Sequence, residues 1–226
     1  MKRLSVVTVF LAWFVTSANA DFDAGMAAYV GRDYATALRE WTPFADQGDA
    51  RAQFNLGVMY ANGQGGPQND KEALRWYRLA ANQGHADAQF NLGVMYANGQ
   101  GGPQNDTEAL HWYRLAANQG HADAQATLGT LHVIGQVVPQ DYREALRWYR
   151  LATEQRHAGA QYNLGIMYAK GYGVLQDYVQ AHMWWSLAAA KGDEMASSAR
   201  NQLAEKMSQS QIAEAQRLAR EWKPKQ

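Results

Sequence analysis

The chain has 226 residues, 21 basic and 21 acidic side chains, and no cysteine. The absence of cysteine excludes disulfides, thiolate metal sites and cysteine nucleophiles. A near-neutral chain without a run of basic residues lacks the positive field that would attract nucleic acid or an anionic membrane, so we expect neither as a partner.

The first 20 residues predict a secretory signal peptide that is cleaved after Ala20. Lys2 and Arg3 precede a short apolar stretch, residues 4–15, and residues 18–20 read Ala-Asn-Ala. The stretch is too short to span a bilayer; an uncleaved anchor or an ordinary first helix is the alternative. We therefore expect an exported protein, periplasmic or secreted, whose mature form does not insert into a membrane. Without the two basic residues its net charge is 19 − 21 = −2.

An internal repeat dominates the rest of the chain. Residues 53–88 and 89–124 are identical at 34 of 36 positions. The spacing of 36 persists in two sets of residues: Gly57, Gly93, Gly129 and Gly165, and Trp76, Trp112, Trp148 and Trp184. A fixed period of this length predicts a stacked array of one supersecondary unit, not a single core with one active site.

The first half of each repeat predicts an amphipathic helix. In the first copy Asp49 is a candidate N-cap, and Gly63 is suited to the left-handed position that ends a helix. Between them one stripe of apolar residues recurs at helical spacing: Ala52, Leu56, Met59 and Tyr60. Gly57 in this helix predicts a close approach to the methyl group of Ala73 in the next helix, with Tyr60, Tyr77 and Trp76 filling the space around the contact.

The second half predicts a glycine-rich elbow and a second helix. Residues 64–68 form the elbow, either Asn69 or Asp70 caps the helix, and Gly84 follows its end. Each repeat is therefore a helical hairpin, and stacking on the next hairpin would bury its apolar flank.

The repeated pattern Ala-x-Ala-Gln-x-x-Leu-Gly-x-x-Tyr, then Gly-x-Gly, then Asp-x-x-x-Ala-x-x-Trp-Tyr-x-x-Ala-Ala-x-Gln-Gly resembles the Sel1-like repeat family, which is related to tetratricopeptide repeats. The resemblance covers four units: 49–84, 85–120, 121–156 and 157–192. It implies an all-α, right-handed α-solenoid of stacked helical hairpins.

The flanking segments predict terminal units. Residues 21–48 resemble a degenerate unit of tetratricopeptide length. Residues 193–226 predict two capping helices, 193–207 and 209–222, with a capping box formed by Ser208 and Gln211. Six units with two helices each give twelve helices.

Three repeated features could carry chemistry, but each fits a structural role better. His85, His121 and His157 lie about 10 Å apart on successive hairpins, too far to share one metal ion, and we expect them near helix starts. The glycine-rich elbow at 63–66 is not followed by the Lys-Ser/Thr of a phosphate loop, so no cofactor is predicted. Neither a nucleophile motif nor an isolated carboxylate pair indicates catalysis. The repeated tryptophans predict core packing, with glycan stacking as the alternative.

A second apolar stripe on the first helix of each repeat is the candidate binding surface. By resemblance to tetratricopeptide arrays it would line the concave face, although Phe54 and Phe90 could equally pack between adjacent helices. The stripe and its polar margin consist of Arg51, Phe54, Val58, Asn62, Asp87, Phe90, Val94, Asn98, Asp123, Tyr162 and Ile166. Ala126 and Thr130 weaken it in the third unit.

These features predict an exported, non-catalytic scaffold that binds a protein or peptide in the cell envelope. One alternative is an envelope enzyme of the β-lactamase-like type linked to cysteine-rich relatives, although this chain lacks those cysteines. The other is a glycan-binding protein of polysaccharide or cell-wall assembly.

Overall fold

Twelve helices and no β-strand occur within residues 22–224, the part of the chain that the computed structural model describes. The predicted signal peptide lies outside this range. Helix α1 covers residues 22–30. The others are α2 (Tyr34–Asp46), α3 (Ala50–Asn62), α4 (Asp70–Asn82), α5 (Ala86–Asn98), α6 (Asp106–Asn118), α7 (Ala122–Ile134), α8 (Tyr142–Glu154), α9 (Ala158–Lys170), α10 (Tyr178–Ala189), α11 (Glu194–Ala204) and α12 (Gln209–Glu221).

The helices form two compact units that divide within α6, at residues 112 and 113. In the first unit α2 packs on α3, α3 on α4 and α4 on α5. In the second unit α7 packs on α8, α8 on α9 and α9 on α10, and α10 also contacts α11 and α12. Within each unit these helices therefore stack as neighbours along the chain, and the predicted all-α fold of stacked helical hairpins is confirmed.

Side-chain caps fix where the repeat helices begin and end. Asp49 caps α3 by accepting the backbone N–H groups of Arg51 at 2.9 Å and Ala52 at 3.0 Å. Gly63 ends the helix in the left-handed conformation with φ 65°. The cap of α4 is Asn69, whose side chain accepts the N–H of Glu72 at 3.2 Å. The capping box of Ser208 and Gln211 is also present.

The elbow between α3 and α4 packs on α2, the helix that precedes this hairpin. Gly65 has φ +83°, and a Cβ built there would lie 2.5 Å from Leu38 Cδ1 and 2.9 Å from the carbonyl oxygen of Tyr34. Both residues belong to α2. A side chain at this position would therefore force the elbow away from α2, which explains the glycine.

The close approach predicted at Gly57 exists, and Tyr77, one of the aromatic residues expected around it, makes the nearest contact. A Cβ at Gly57 would lie 2.5 Å from Cδ1 and 2.7 Å from Cε1 of Tyr77. Ala73 is fully buried one helical turn earlier in α4. The flat ring of Tyr77, and not the methyl group, fills the space that the missing side chain leaves.

Glutamines join the hairpins in a way that the sequence patterns did not indicate. The buried side-chain amides of Gln53, Gln89 and Gln125 each donate to the carbonyl of the residue eight positions earlier, at 3.0–3.1 Å. These carbonyls lie in the last turn of the preceding helix, and each also accepts the backbone N–H of the glycine three residues later. The first helices of the first three repeats are thereby joined to the end of the helix before them.

Helix α11 is shorter than predicted. It ends at Ala204, three residues before Met207, and the chain turns before α12. Ser208 takes an extended conformation, φ −73° and ψ 159°, because it caps α12. Met207 is buried all the same and joins a cluster with Trp185, Leu203 and Ala215.

Candidate functional site

Phe54 is one of two phenylalanines that the candidate stripe has in the first compact unit, and it is half-buried. Its ring stacks on His85, with centroids 4.6 Å apart and planes at 17°, and lies 6.0 Å from the ring of Tyr77. The side chain thus packs between helices and still presents part of its surface to solvent.

The remaining apolar members of the stripe in this unit have the same degree of burial. Val58 lies one turn after Phe54 in α3, and Phe90 and Val94 occupy the equivalent positions in α5. All three are half-buried. We call these three side chains, together with Phe54, the Phe54 face.

Exposed polar residues border the Phe54 face at both ends of its helices. Arg51 and Asp87 lie in the first turns of α3 and α5, and Asn62 and Asn98 end the same helices. The Arg51 guanidinium stacks over the ring of Phe22 at 4.4 Å and pairs with Asp49 at 3.2 Å. An apolar strip with a margin of both charge signs is suited to contact with a peptide or a helix.

In the second unit the predicted residues also contact neighbouring helices. Asp123 accepts a hydrogen bond from Nε2 of His157 at 2.9 Å, so it links α7 to the start of α9. Tyr162 and Ile166 of α9 pack against the cluster formed by α10, α11 and α12. The indole N–H of Trp185 donates to the Tyr162 carbonyl at 3.0 Å. These residues are therefore engaged by neighbouring helices of their own unit.

The repeated histidines cap helices. His85, His121 and His157 are the N-caps of α5, α7 and α9, and their Nδ1 atoms accept the backbone N–H three residues later at 3.0–3.3 Å. The predicted position near helix starts is confirmed. Within residues 22–224 no three His, Asp or Glu side chains form a group that could hold a metal ion.

The repeated tryptophans are core residues. Trp76, Trp112, Trp148 and Trp184 are between 5% and 9% exposed. Arg75 and Arg147 cover the rings of Trp76 and Trp148 at 4.2 Å and 4.0 Å. The predicted core packing is confirmed, and the rings offer little surface on which a sugar could stack.

The family assignment follows from the repeats themselves. The sequence profile of the Sel1 repeat matches residues 50–85, 86–121, 122–157 and 158–193, each starting one residue after the boundary predicted from the spacing. The chain belongs to the Sel1 repeat family. Proteins built from Sel1 repeats typically act in protein–protein interaction and are generally non-catalytic scaffolds.

Solved structures of other Sel1 repeat proteins are similar to this chain. A Sel1 repeat protein from Oxalobacter formigenes is 38% identical, with a TM-score of 0.74, over 78% of this chain and 70% of the other. A protective antigen of uropathogenic Escherichia coli strains, which displays an SLR fold, is 29% identical with a TM-score of 0.59. That alignment covers 91% of this chain and 53% of the antigen. A comparison with curated proteins finds no match.

Every helix within the described residues is too short or too polar to cross a bilayer.

Proposed function

We propose that this Sel1 repeat protein is an exported, non-catalytic scaffold that binds a protein or peptide partner in the cell envelope through the Phe54 face. The observation that carries the proposal is the half-buried apolar strip of Phe54, Val58, Phe90 and Val94, which leaves apolar surface at the margin between packed core and solvent. Proteins of this family typically bind other proteins.

The chemistry of the strip favours an extended or helical segment with apolar side chains. Phenylalanine provides a large, rigid contact area, and valine fills the gaps between rings at little entropic cost. Arg51 on the margin, 59% exposed at its side chain, would attract a negative charge on the partner. Such rim charges contribute more to specificity and association rate than to affinity.

The proposal is tested by site-specific photo-crosslinking in the native envelope. A photoreactive amino acid is placed at Asn62 or at Asn98, both exposed at the margin of the face. The control position is Leu79 of α4, which is 38% exposed and lies outside the face. We expect the same partner to be crosslinked from both asparagine positions and not from position 79. Equal crosslinking from all three positions would contradict a specific face.

Charge substitutions supply an independent test. Val58→Glu with Val94→Glu should reduce recovery of the crosslinked partner by about tenfold or more, because the hot-spot residues of an interface each contribute about 2 kcal/mol or more. Leu79→Glu introduces the same charge elsewhere and should leave recovery unchanged. Thermal unfolding of each variant shows whether the fold is intact.

Export and the absence of catalysis are tested separately. Cell fractionation and N-terminal sequencing should find a processed chain that begins at Asp21. A cytosolic, unprocessed chain would contradict export. Turnover of a chromogenic β-lactam by the purified protein, abolished by Ser186→Ala, would contradict a non-catalytic role.

A further inference from the structure

A cavity of about 510 Å³ lies between α10, α11 and α12, entirely within the second unit. This volume falls within the range of small-molecule sites, about 300–1,000 Å³. Its wall combines two arginines with neutral polar and apolar side chains, including Arg200, Arg220, His182, Ser186, Gln216 and Ile212. The predicted concave stripe does not include any of these residues.

The charge of the wall is unbalanced. No aspartate or glutamate lines the cavity. The Arg200 guanidinium donates to the neutral side-chain oxygen of Asn201 at 3.1 Å and 3.3 Å. Within residues 22–224 neither Arg200 nor Arg220 forms an ion pair. An anion bound between the two guanidinium groups would balance their charge.

Arg217 of α12 is an arginine whose charge is balanced by carboxylates, and it can be compared with Arg220 on the same helix. Its guanidinium pairs with Glu214 at 2.6 Å and with Glu221 at 2.5 Å, so its charge is balanced by two carboxylates. Arg220, three residues later, lines the cavity instead. The contrast makes the unbalanced charge a property of the cavity and not of α12 as a whole.

The deep wall of the cavity is neutral and can form hydrogen bonds. His182 is 4% exposed. Burial lowers the pKa of its imidazole, and the positive charge of Arg200 lowers this pKa further. Ser186 donates to the His182 carbonyl at 2.8 Å, with its oxygen 3.4 Å from Nδ1. Because no carboxylate is present to orient the imidazole, a catalytic triad cannot form from these lining residues, and the cavity is suited to binding.

We propose that this cavity is a binding site for the carboxylate of a small, partly aliphatic ligand, with Arg200 and Arg220 holding the carboxylate and Ile212 contacting the aliphatic part. Guanidinium groups match the planar geometry of a carboxylate with two parallel N–H donors. Gln216 and Ser186 are placed to bind further polar groups of the ligand. Two sources share this chemistry: the free C-terminus of a peptide, and a small organic acid.

The test uses the purified protein and four probes: N-acetyl-Ala-Ala, its C-terminal amide, succinate and inorganic phosphate. Binding is followed by NMR through the side-chain Nε–H signals of Arg200 and Arg220. We expect the free-acid dipeptide or succinate to shift both signals saturably, and the amide to shift neither. Whichever of the free-acid dipeptide and succinate binds more tightly shows which of the two sources supplies the carboxylate. The proposal would be overturned if phosphate bound more tightly than the dipeptide and succinate. It would also be overturned if the amide shifted the two signals as much as the free acid does.

Variants assign the effect to the cavity. Arg220→Gln should weaken carboxylate binding by about tenfold, the loss expected for one charged hydrogen-bonding group. Arg200→Gln should act in the same direction. Arg217→Gln is the control and should leave binding unchanged. Carboxylate binding that survives Arg220→Gln would place the ligand elsewhere. The proposal would also be overturned if none of the probes produced a response at about 10 mM, a concentration that saturates even millimolar sites. The Phe54 face lies in the other unit, so the two proposals can fail independently.

Discussion

The side-chain amide of Gln83 donates to Oε1 of Gln53 at 2.8 Å, which joins the end of α4 to the buried glutamine of α3. Gln155 and Gln125 repeat the bond in the second unit at 3.1 Å. In the fourth repeat the equivalent of Gln83 is Lys191. Gln161, the equivalent of Gln53, is fully buried, and neither polar atom of its amide has a hydrogen-bond partner.

Restoring the glutamine pair should stabilise the fourth repeat. We expect Lys191→Gln to raise the free energy of unfolding by about 1 kcal/mol, since a buried amide gains a partner. Burial lowers the pKa of Lys191, and the nearby charge of Arg156 lowers it further, so loss of this charge also contributes. Lys191→Met removes the charge without supplying an amide and serves as the control. Urea unfolding that shows equal stability for the two variants would exclude the hydrogen bond as the cause.

A methyl group at position 57 should destabilise the first repeat. Alanine is the better helix former by about 1 kcal/mol, but overpacking against the Tyr77 ring costs about 1–3 kcal/mol. We therefore expect a net loss in Gly57→Ala, measured by urea unfolding. Gly66→Ala is the control, because a Cβ there meets nothing within 4 Å. Tyr77→Ala should relieve the clash, so a double-mutant cycle should show favourable coupling between the two substitutions.

The sequence predicted the helices because their determinants are local and repeated. Asp49 and Gly63 bound α3 through side-chain and backbone geometry that depends on few neighbours. The sequence placed Tyr60, Tyr77 and Trp76 around Gly57, and the packed structure selects the Tyr77 ring as its nearest neighbour. The role of Gln53 was missed for a related reason: hydropathy marks glutamine as a surface residue, while its hydrogen bond to Ala45 lets it be buried.

The candidate surface was less predictable than the fold. The period places Phe54 and Tyr162 at equivalent positions, yet their surroundings differ. Phe54 meets the next repeat through His85, whereas Tyr162 meets the terminal cluster of α10, α11 and α12. Periodicity specifies which residues are equivalent, but the neighbouring helix determines how much of each side chain remains accessible.

The histidine caps should be separable from the bond between His157 and Asp123. His157→Asn retains a side chain able to cap α9 but removes the link to Asp123, whereas His157→Ala removes both. We expect alanine to lower the free energy of unfolding by about 1 kcal/mol more than asparagine, the typical contribution of an N-cap. The variants are compared by thermal and urea unfolding. Equal losses would show that the Asp123 link, and not the cap, is the stabilising contact.

Asp141 should contribute to a loss of stability in acid. Its carboxylate caps α8 by accepting the N–H groups of Glu144 at 3.0 Å and Arg143 at 2.9 Å. The bond from the Glu144 backbone is the largest cause that holds the pKa of Asp141 below its usual value. The unfolded chain therefore takes up this proton first, so the contribution is present above about pH 4 and is lost as the pH falls through the lower folded value.

Asp141→Asn tests this directly, because asparagine caps helices about as well as aspartate but does not titrate. We expect similar urea midpoints for the two proteins at pH 7 and a shallower decline for the variant between about pH 4 and pH 2, the range in which aspartate gains its proton. The wild-type protein should therefore lose more stability over this interval. Parallel pH profiles would show that protonation of Asp141 does not contribute to acid unfolding.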